Sequence, residues 1–164
     1  MASEFSFDIV SEIDQQELTN ALDQTRREIS TRYDFKDAQV EIKQETDYLT
    51  ILAPTEFKFN AAMDIIKSKL IRRNLDLRIL GEAKIEPASG GTIRASVPLV
   101  EGISQEQAKI INKLIREKLP KIKASIQGEA IRVSSKSKDE LQEVMDLLKN
   151  QPTITMPLQF TNYR

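Results

Sequence analysis

Phe5, Phe7 and Ile9 alternate with Ser6 and Asp8, the period of two expected of a half-buried strand. Asp14 then stands three residues before Glu17, the spacing of a helix cap with a reciprocal acidic partner. Leu18, Leu22, Thr25 and Ile29 follow at helical spacing and leave Arg26 and Arg27 outward. Val40 and Ile42 alternate with polar neighbours, and residues 48–53 read as the second arm of a hairpin that Pro54 ends. Phe59, Met63, Ile66 and Leu70 mark a second helix, and Leu75, Leu77 and Ile79 a closing strand.

The second half repeats that order. Residues 93–99 alternate, and Ser104 and Gln107 form a capping box ahead of Ala108, Ile111, Leu114 and Ile115. Pro120 stops this helix. Ile122, Ala124 and Ile126 alternate, a Gly128-Glu129 turn leads into Ile131 and Val133, and Ser137 and Glu140 form a third capping box. Leu141, Val144, Met145 and Leu148 give the last helix, and Ile154, Met156, Leu158 and Phe160 the last strand. A twofold strand, helix, strand, strand, helix, strand order predicts an α+β protein made of two tandem ferredoxin-like βαββαβ sandwiches. Residues 1–82 form the first repeat and 92–164 the second, with the Gly- and Pro-containing stretch 83–91 as linker. A unit of this size buries only a small core, so the two are expected to pack together or exchange an element.

Composition removes several chemistries. With no Cys and no His there is no thiolate, no imidazole base and no His-ligated zinc. Neither a Gly-x-Ser-x-Gly elbow nor a phosphate-binding glycine loop occurs, and no carboxylate cluster has metal-ligand spacing. No cofactor is implied, and a binding protein is expected rather than an enzyme. No apolar run approaches the length of a membrane span and no secretory signal is legible, which makes the cytoplasm the default location.

A formal charge of −1 hides an asymmetry. Residues 1–82 carry 11 Lys/Arg against 16 Asp/Glu, and residues 83–164 carry 13 against 9. The excess lies between Lys109 and Lys138 and could draw phosphates, although charge runs also serve simple solvation. Each sheet should leave one face free of helices. On the second, the outward positions Arg94, Ser96, Lys123, Ser125, Gln127, Arg132, Ser134 and Thr155 include three cations and no carboxylate. Guanidinium forks and hydroxyls suit phosphate oxygens. The aromatic signature of an RNA-recognition domain is missing from the third strands.

The hexapeptide TRYDFK (31–36) resembles the YajQ family, and the likeness extends through SFDIVSE (6–12), QTRREIS (24–30), IQGEAIRV (126–133) and PLQFTNYR (157–164). Two positions depart from the family pattern: Tyr33 stands where Phe is common and Asp37 where Gly is common. The resemblance implies that strands 5–10 and 93–99 are exchanged between the repeats. Asp8 would then join the second open face and Arg94 leave it. It also implies nucleotide binding, with cyclic di-GMP in some members and tRNA or purine nucleotides in others, and no catalytic activity.

Candidate ligand contacts follow from both lines of reasoning. Arg26, Arg32, Tyr33, Phe35 and Lys36 combine cations with rings that can grip a phosphate and stack a base. Lys123, Gln127, Arg132 and Ser134 belong to the open face, and Tyr163 and Arg164 repeat the chemistry at the tail. The plainer alternative has Arg26 and Arg27 paired with Asp23 or Glu28, Phe35 in the core and Tyr163 as an anchor. Three functions stay open at this level. One is a nucleotide-binding regulator that takes cyclic di-GMP, GTP or ATP and acts through a protein partner. The others are a tRNA or RNA binder using the basic second half, and a protein-interaction scaffold without a nucleotide.

Overall fold

Among the described residues, three of the four α-helices begin where a side chain accepts an orphan N–H. In the computed structural model, which describes residues 4–164, Asp14 caps α1 (Gln15–Thr31), Thr55 caps α2 (Glu56–Arg72) and Ser104 caps α3 (Gln105–Lys118). The cap bonds, from the N–H groups of Glu17, Lys58 and Gln107, measure 3.1, 3.1 and 3.2 Å. Helix α4 (Lys138–Lys149) departs from the expected capping box, because Ser137 makes no side-chain cap bond. Ser135 takes over: its hydroxyl accepts the Ser137 N–H and donates to the Glu140 carboxylate.

Among the described residues the strands are β1 (Phe5–Val10), β2 (Glu41–Gln44), β3 (Tyr48–Ala53), β4 (Lys84–Pro87), β5 (Ile93–Pro98), β6 (Lys123–Gln127), β7 (Ala130–Ser135) and β8 (Gln159–Thr161). They form two four-stranded antiparallel sheets, ordered β6-β7-β1-β8 and β2-β3-β5-β4. The first strand of the chain therefore lies between β7 and β8, with Phe7 opposite Val133 and Ile9 opposite Ile131 and Phe160. In the same way β5 lies between β3 and β4. The chain divides into one compact unit of residues 4–12 with Glu101–Arg164, and another of Ile13–Val100.

Within Ile13–Val100 the inward residues Leu49, Ile51, Ala95 and Val97 meet Leu18, Leu22, Phe59 and Ile66 of the two helices in one core. In the other unit Phe7, Ile9, Ile131 and Val133 are buried, as are Ile111 and Ile115 of α3 and Val144 and Leu148 of α4. Outward strand positions such as Lys43, Lys84 and Lys123 remain exposed, the alternation of a sheet covered on one side. Among the described residues no helix is long and apolar enough to cross a membrane.

Two expectations about residues 75–91 are corrected. Leu77–Ile79 is a 3-10 turn rather than a strand, because Asp76 accepts the Arg78 N–H at 2.9 Å and also holds the Arg78 guanidinium at 2.7 Å. The missing fourth strand comes instead from the expected linker, where Lys84–Pro87 pairs with β5. Its proline is tolerated because β4 is an edge strand. The closing strand is also shorter than its periodicity suggests: Ile154 and Met156 are buried, but only Gln159–Thr161 pairs.

Candidate functional site

Arg32 ends α1 in extended backbone, and the chain turns at once into the 3-10 turn Tyr33–Phe35. The Phe35, Lys36 and Ala38 N–H groups donate to the Arg32, Tyr33 and Phe35 carbonyls at 3.2, 3.0 and 3.0 Å. This geometry sends the two rings of the motif in opposite senses: Tyr33 is 87% exposed and Phe35 only 3%. Phe35 thus packs in the core, as the plainer alternative has it. Asp37 follows with φ of 64°, a left-handed position that glycine fills without strain and aspartate tolerates better than most residues.

The end of α1, this turn and the start of β2 enclose an open groove of about 990 Å³, lined by Arg26, Ile29, Arg32, Tyr33, Lys36 and Lys43 among others. Its cations differ in availability. Arg26 is a wall: Nε and Nη2 donate to the Ile42 carbonyl at 3.2 and 2.6 Å, and Nη1 pairs with Asp23 at 2.9 Å. Arg32 presents a fork to Asp34, at 2.9 and 2.8 Å, and bonds Glu28 at 3.1 Å, which pairs in turn with Lys69 at 2.9 Å. Hydrogen bonding to Arg32 lowers the Asp34 pKa, and Lys69 followed by Arg32 lowers that of Glu28. Arg32 itself is raised, by Asp34 first. Lys36 lies 6.0 Å from the Tyr33 ring centroid, and neither it nor Lys43 enters an ion pair among the described residues.

Three contributors lie outside the candidate residues expected from the sequence, the first being Lys43 in the groove lining. Lys58, from the first turn of α2, donates to the Asp34 carbonyl and sits 5.3 Å from the Phe35 centroid. Nothing local marks it, since it lies 24 residues from its acceptor. Asp34 does carry a local signal, because two residues of separation in a tight turn bring its carboxylate onto the Arg32 guanidinium.

The other candidates lie in the second unit and in two places. Lys123, Gln127, Arg132 and Ser134 share the outer face of the β6-β7-β1-β8 sheet, where Lys123 faces Ser134 and Arg132 stands between Ser125 and Asp8. Both cations there have carboxylate partners. Arg132 Nε bonds Asp8 Oδ1 at 3.0 Å, and Lys123 meets Glu4 at 3.3 Å. Asn162 completes the Asp8 site by donating to Oδ2 at 2.9 Å. Gln127 reaches Ser125 at 3.5 Å. Arg94 and Ser96 lie on the other sheet, and Thr155 lies outside the strands. Tyr163 and Arg164 border a separate cleft of about 450 Å³ with Phe5, Lys138, Leu141 and Met145. The Tyr163 ring lies 6.0 Å from that of Phe7, and the Arg164 main chain pairs with Ser6 at 3.0 and 3.2 Å.

Bonds from Arg132 and then Asn162 hold the Asp8 carboxyl below the usual aspartate range, against the opposing effect of burial. A depressed folded value means that Asp8 stabilises above its unfolded value of about 3.9, and that this contribution is lost as pH falls toward the folded value. The Asp8→Asn variant should therefore show a lower urea midpoint at pH 7, and the difference from wild type should shrink between about pH 4 and 2. A difference that stays constant with pH would remove the ion pair as its cause.

Fold and groove define a class: a tandem ferredoxin-like α+β protein with an open groove lined by cations, by the carboxylate residues Asp37 and Glu41, and by an exposed ring. Comparison with known proteins narrows it. The family described as "Nucleotide-binding protein YajQ-like" matches residues 5–164, and the chain belongs to that family. It is 51% identical to a protein of Trichodesmium erythraeum, 48% to one of Synechococcus elongatus and 47% to one of Roseiflexus castenholzii. Each match spans the whole of both chains, and each relative bears the name nucleotide-binding protein.

Proposed function

We propose that this chain is a nucleotide-binding protein that seats its ligand in the groove of residues 26–43. The base lies against Tyr33, and the phosphate meets Lys36 and Lys43. The observation that carries this reading is an 87% exposed aromatic ring at a groove of nucleotide size whose Lys36 and Lys43 enter no ion pair among the described residues. Names given to the relatives support binding rather than catalysis, and the chain holds neither His nor Cys to serve as a base or thiolate. A bound nucleotide therefore acts by being sensed, through a protein partner that reads the occupied groove. Cyclic di-GMP, GTP and ATP are the ligands to titrate.

Isothermal titration with these three tests the reading. Saturable binding of at least one is expected in wild type. The Tyr33→Ala variant should bind roughly 5- to 150-fold more weakly, the scale of one base–aromatic stack of about 1–3 kcal/mol. The Lys36→Ala variant should also bind more weakly and with a shallower salt dependence. Stability should stay within about 0.5 kcal/mol of wild type in both, since both side chains are exposed. Binding that ignores both substitutions moves the site elsewhere.

A second reading has one observation behind it. Lys109, Lys113 and Arg116 are exposed along α3, and only Lys113 has a carboxylate partner, Glu117 at 3.9 Å, among the described residues. RNA held there would bind with an affinity that falls steeply as salt rises.

A further inference from the structure

Strand β4 ends its sheet with one side unpaired. The Ala88 N–H donates to the Thr92 carbonyl at 2.8 Å, so by the alternation of an antiparallel ladder Lys84 and Glu86 turn their main-chain groups toward β5. Ile85 between them turns its N–H and carbonyl outward, where neither has a partner among the described residues. Its side chain shares a face with the buried Ala95 directly opposite, yet Ile85 is 38% exposed. Lys84 and Glu86 project from the other face, 79% and 61% exposed and 3.9 Å apart. An open edge of this kind is a template for a further strand.

We propose that this edge pairs with the same edge of a second copy of the chain, antiparallel about Ile85. Residues 84–86 are their own complement. Turned about a twofold axis at Ile85, Lys84 falls opposite the partner's Glu86, and Glu86 opposite the partner's Lys84. These are the positions without main-chain bonds to each other, where facing side chains come closest. The two Ile85 residues exchange both main-chain bonds, and their side chains meet on the helix-covered face. Lys and Pro are residues that usually protect an edge, but here each Lys84 meets a carboxylate and Pro87 only ends the pairing. Other edges fit a copy less well. At β2 the Ile42 carbonyl is already taken by Arg26. Strand β6 turned about Ser125 sets Lys123 opposite Gln127, with no charge to meet it, and β8 is three residues long. Sheet order puts β2 at the far edge from β4, so the groove of residues 26–43 stays open in the pair.

A contact this short falls below the roughly 1,200 Å² of standard interfaces, so the pair is weak and forms between about 10 μM and 1 mM. Sedimentation equilibrium should show monomer giving way to dimer across that range. Hydrogen exchange at the Ile85 amide should slow as concentration rises, whereas the Lys84 and Glu86 amides, already bonded to β5, should not change. Charge reversal supplies the sharper test. Lys84→Glu and Glu86→Lys should each weaken self-association by about tenfold or more, because each sets like charges opposite one another. Mixed together, the two variants should associate at least as well as wild type, since every facing pair is then of opposite sign. Both substitutions fall on exposed side chains, so each variant should keep the wild-type melt by circular dichroism. A chain that stays monomeric at about 1 mM, or reversed variants that fail to associate when mixed, overturns the proposal. An Ile85 amide that is slowed by a strand-forming peptide of unrelated sequence, but not by concentration, assigns the edge to another protein and overturns it as well.

Discussion

Cut between residues 91 and 92 and expressed as separate pieces, the protein should yield two fragments that do not fold alone. The sequence repeat suggests the opposite, since the cut falls between two complete βαββαβ orders. Strand pairing decides the matter. A fragment ending at residue 91 keeps β2, β3 and β4 but lacks β5, which lies between β3 and β4 and supplies the buried Ala95 and Val97. The fragment from residue 92 lacks β1, the strand between β7 and β8, with the fully buried Phe7 and Ile9. Burying two such side chains is worth about 3–6 kcal/mol, before any ladder bond is counted. Small domains are stable by only about 5–15 kcal/mol in total, so neither sheet survives with its centre removed. Circular dichroism and nuclear magnetic resonance should show each fragment without a cooperative melt, and mixing them should restore one. Deleting residues 1–10 should likewise unfold the unit that holds α3 and α4. A peptide of residues 4–12 added to that truncated chain should refold it. A dispersed spectrum from residues 92–164 alone would sink the expectation.

What can be read from the sequence follows from which interactions are local. Helix faces and the caps at Asp14 and Ser104 are legible because a 3.6-residue period and an accepting side chain act within a few positions, as at Asp14 with Leu18 and Leu22. The β2–β3 and β6–β7 hairpins are legible for the same reason. Alternation also shows that Phe7 faces inward, but it carries no information on which sheet Phe7 joins; that is set by Val133, far along the chain. Leu75, Leu77 and Ile79 have the period of a strand, yet Asp76 captures the backbone of Arg78 and makes a turn. Pattern loses there to a side-chain acceptor. The groove is partly legible because residues 26–43 are contiguous, so chain connectivity alone brings Arg26, Arg32 and Lys36 together. The opposite fates of Tyr33 and Phe35 are not legible, since their two-residue spacing would place both on one face of a strand and only the 3-10 turn separates them. Nor can the engagement of Arg132 be read from its neighbours, because its partner Asp8 lies 124 residues away.

Phe35→Ala should be the most destabilising single change in the groove, and the contrast with Tyr33→Ala is its main content. Phe35 joins the core of Ile29, Ile42 and Phe59, and its ring carries the Arg32 guanidinium at 5.7 Å and the Lys58 ammonium at 5.3 Å. Truncating a buried Phe costs about 3–5 kcal/mol, from lost transfer energy and from the cavity left behind. Here the cavity opens under a turn held by three backbone bonds, so Tyr33 and Lys36 lose their fixed positions as well. Urea unfolding should show a much lower midpoint for Phe35→Ala, with binding weakened even where the protein remains folded. Phe35→Leu should recover part of both, because it refills most of the volume without a ring. Tyr33→Ala should weaken binding and leave the midpoint nearly unmoved. If Phe35→Ala shifted stability by less than about 1 kcal/mol, well under the usual range for a buried aromatic, the ring would not be the pin of the turn, and the exposure of Tyr33 would need another cause.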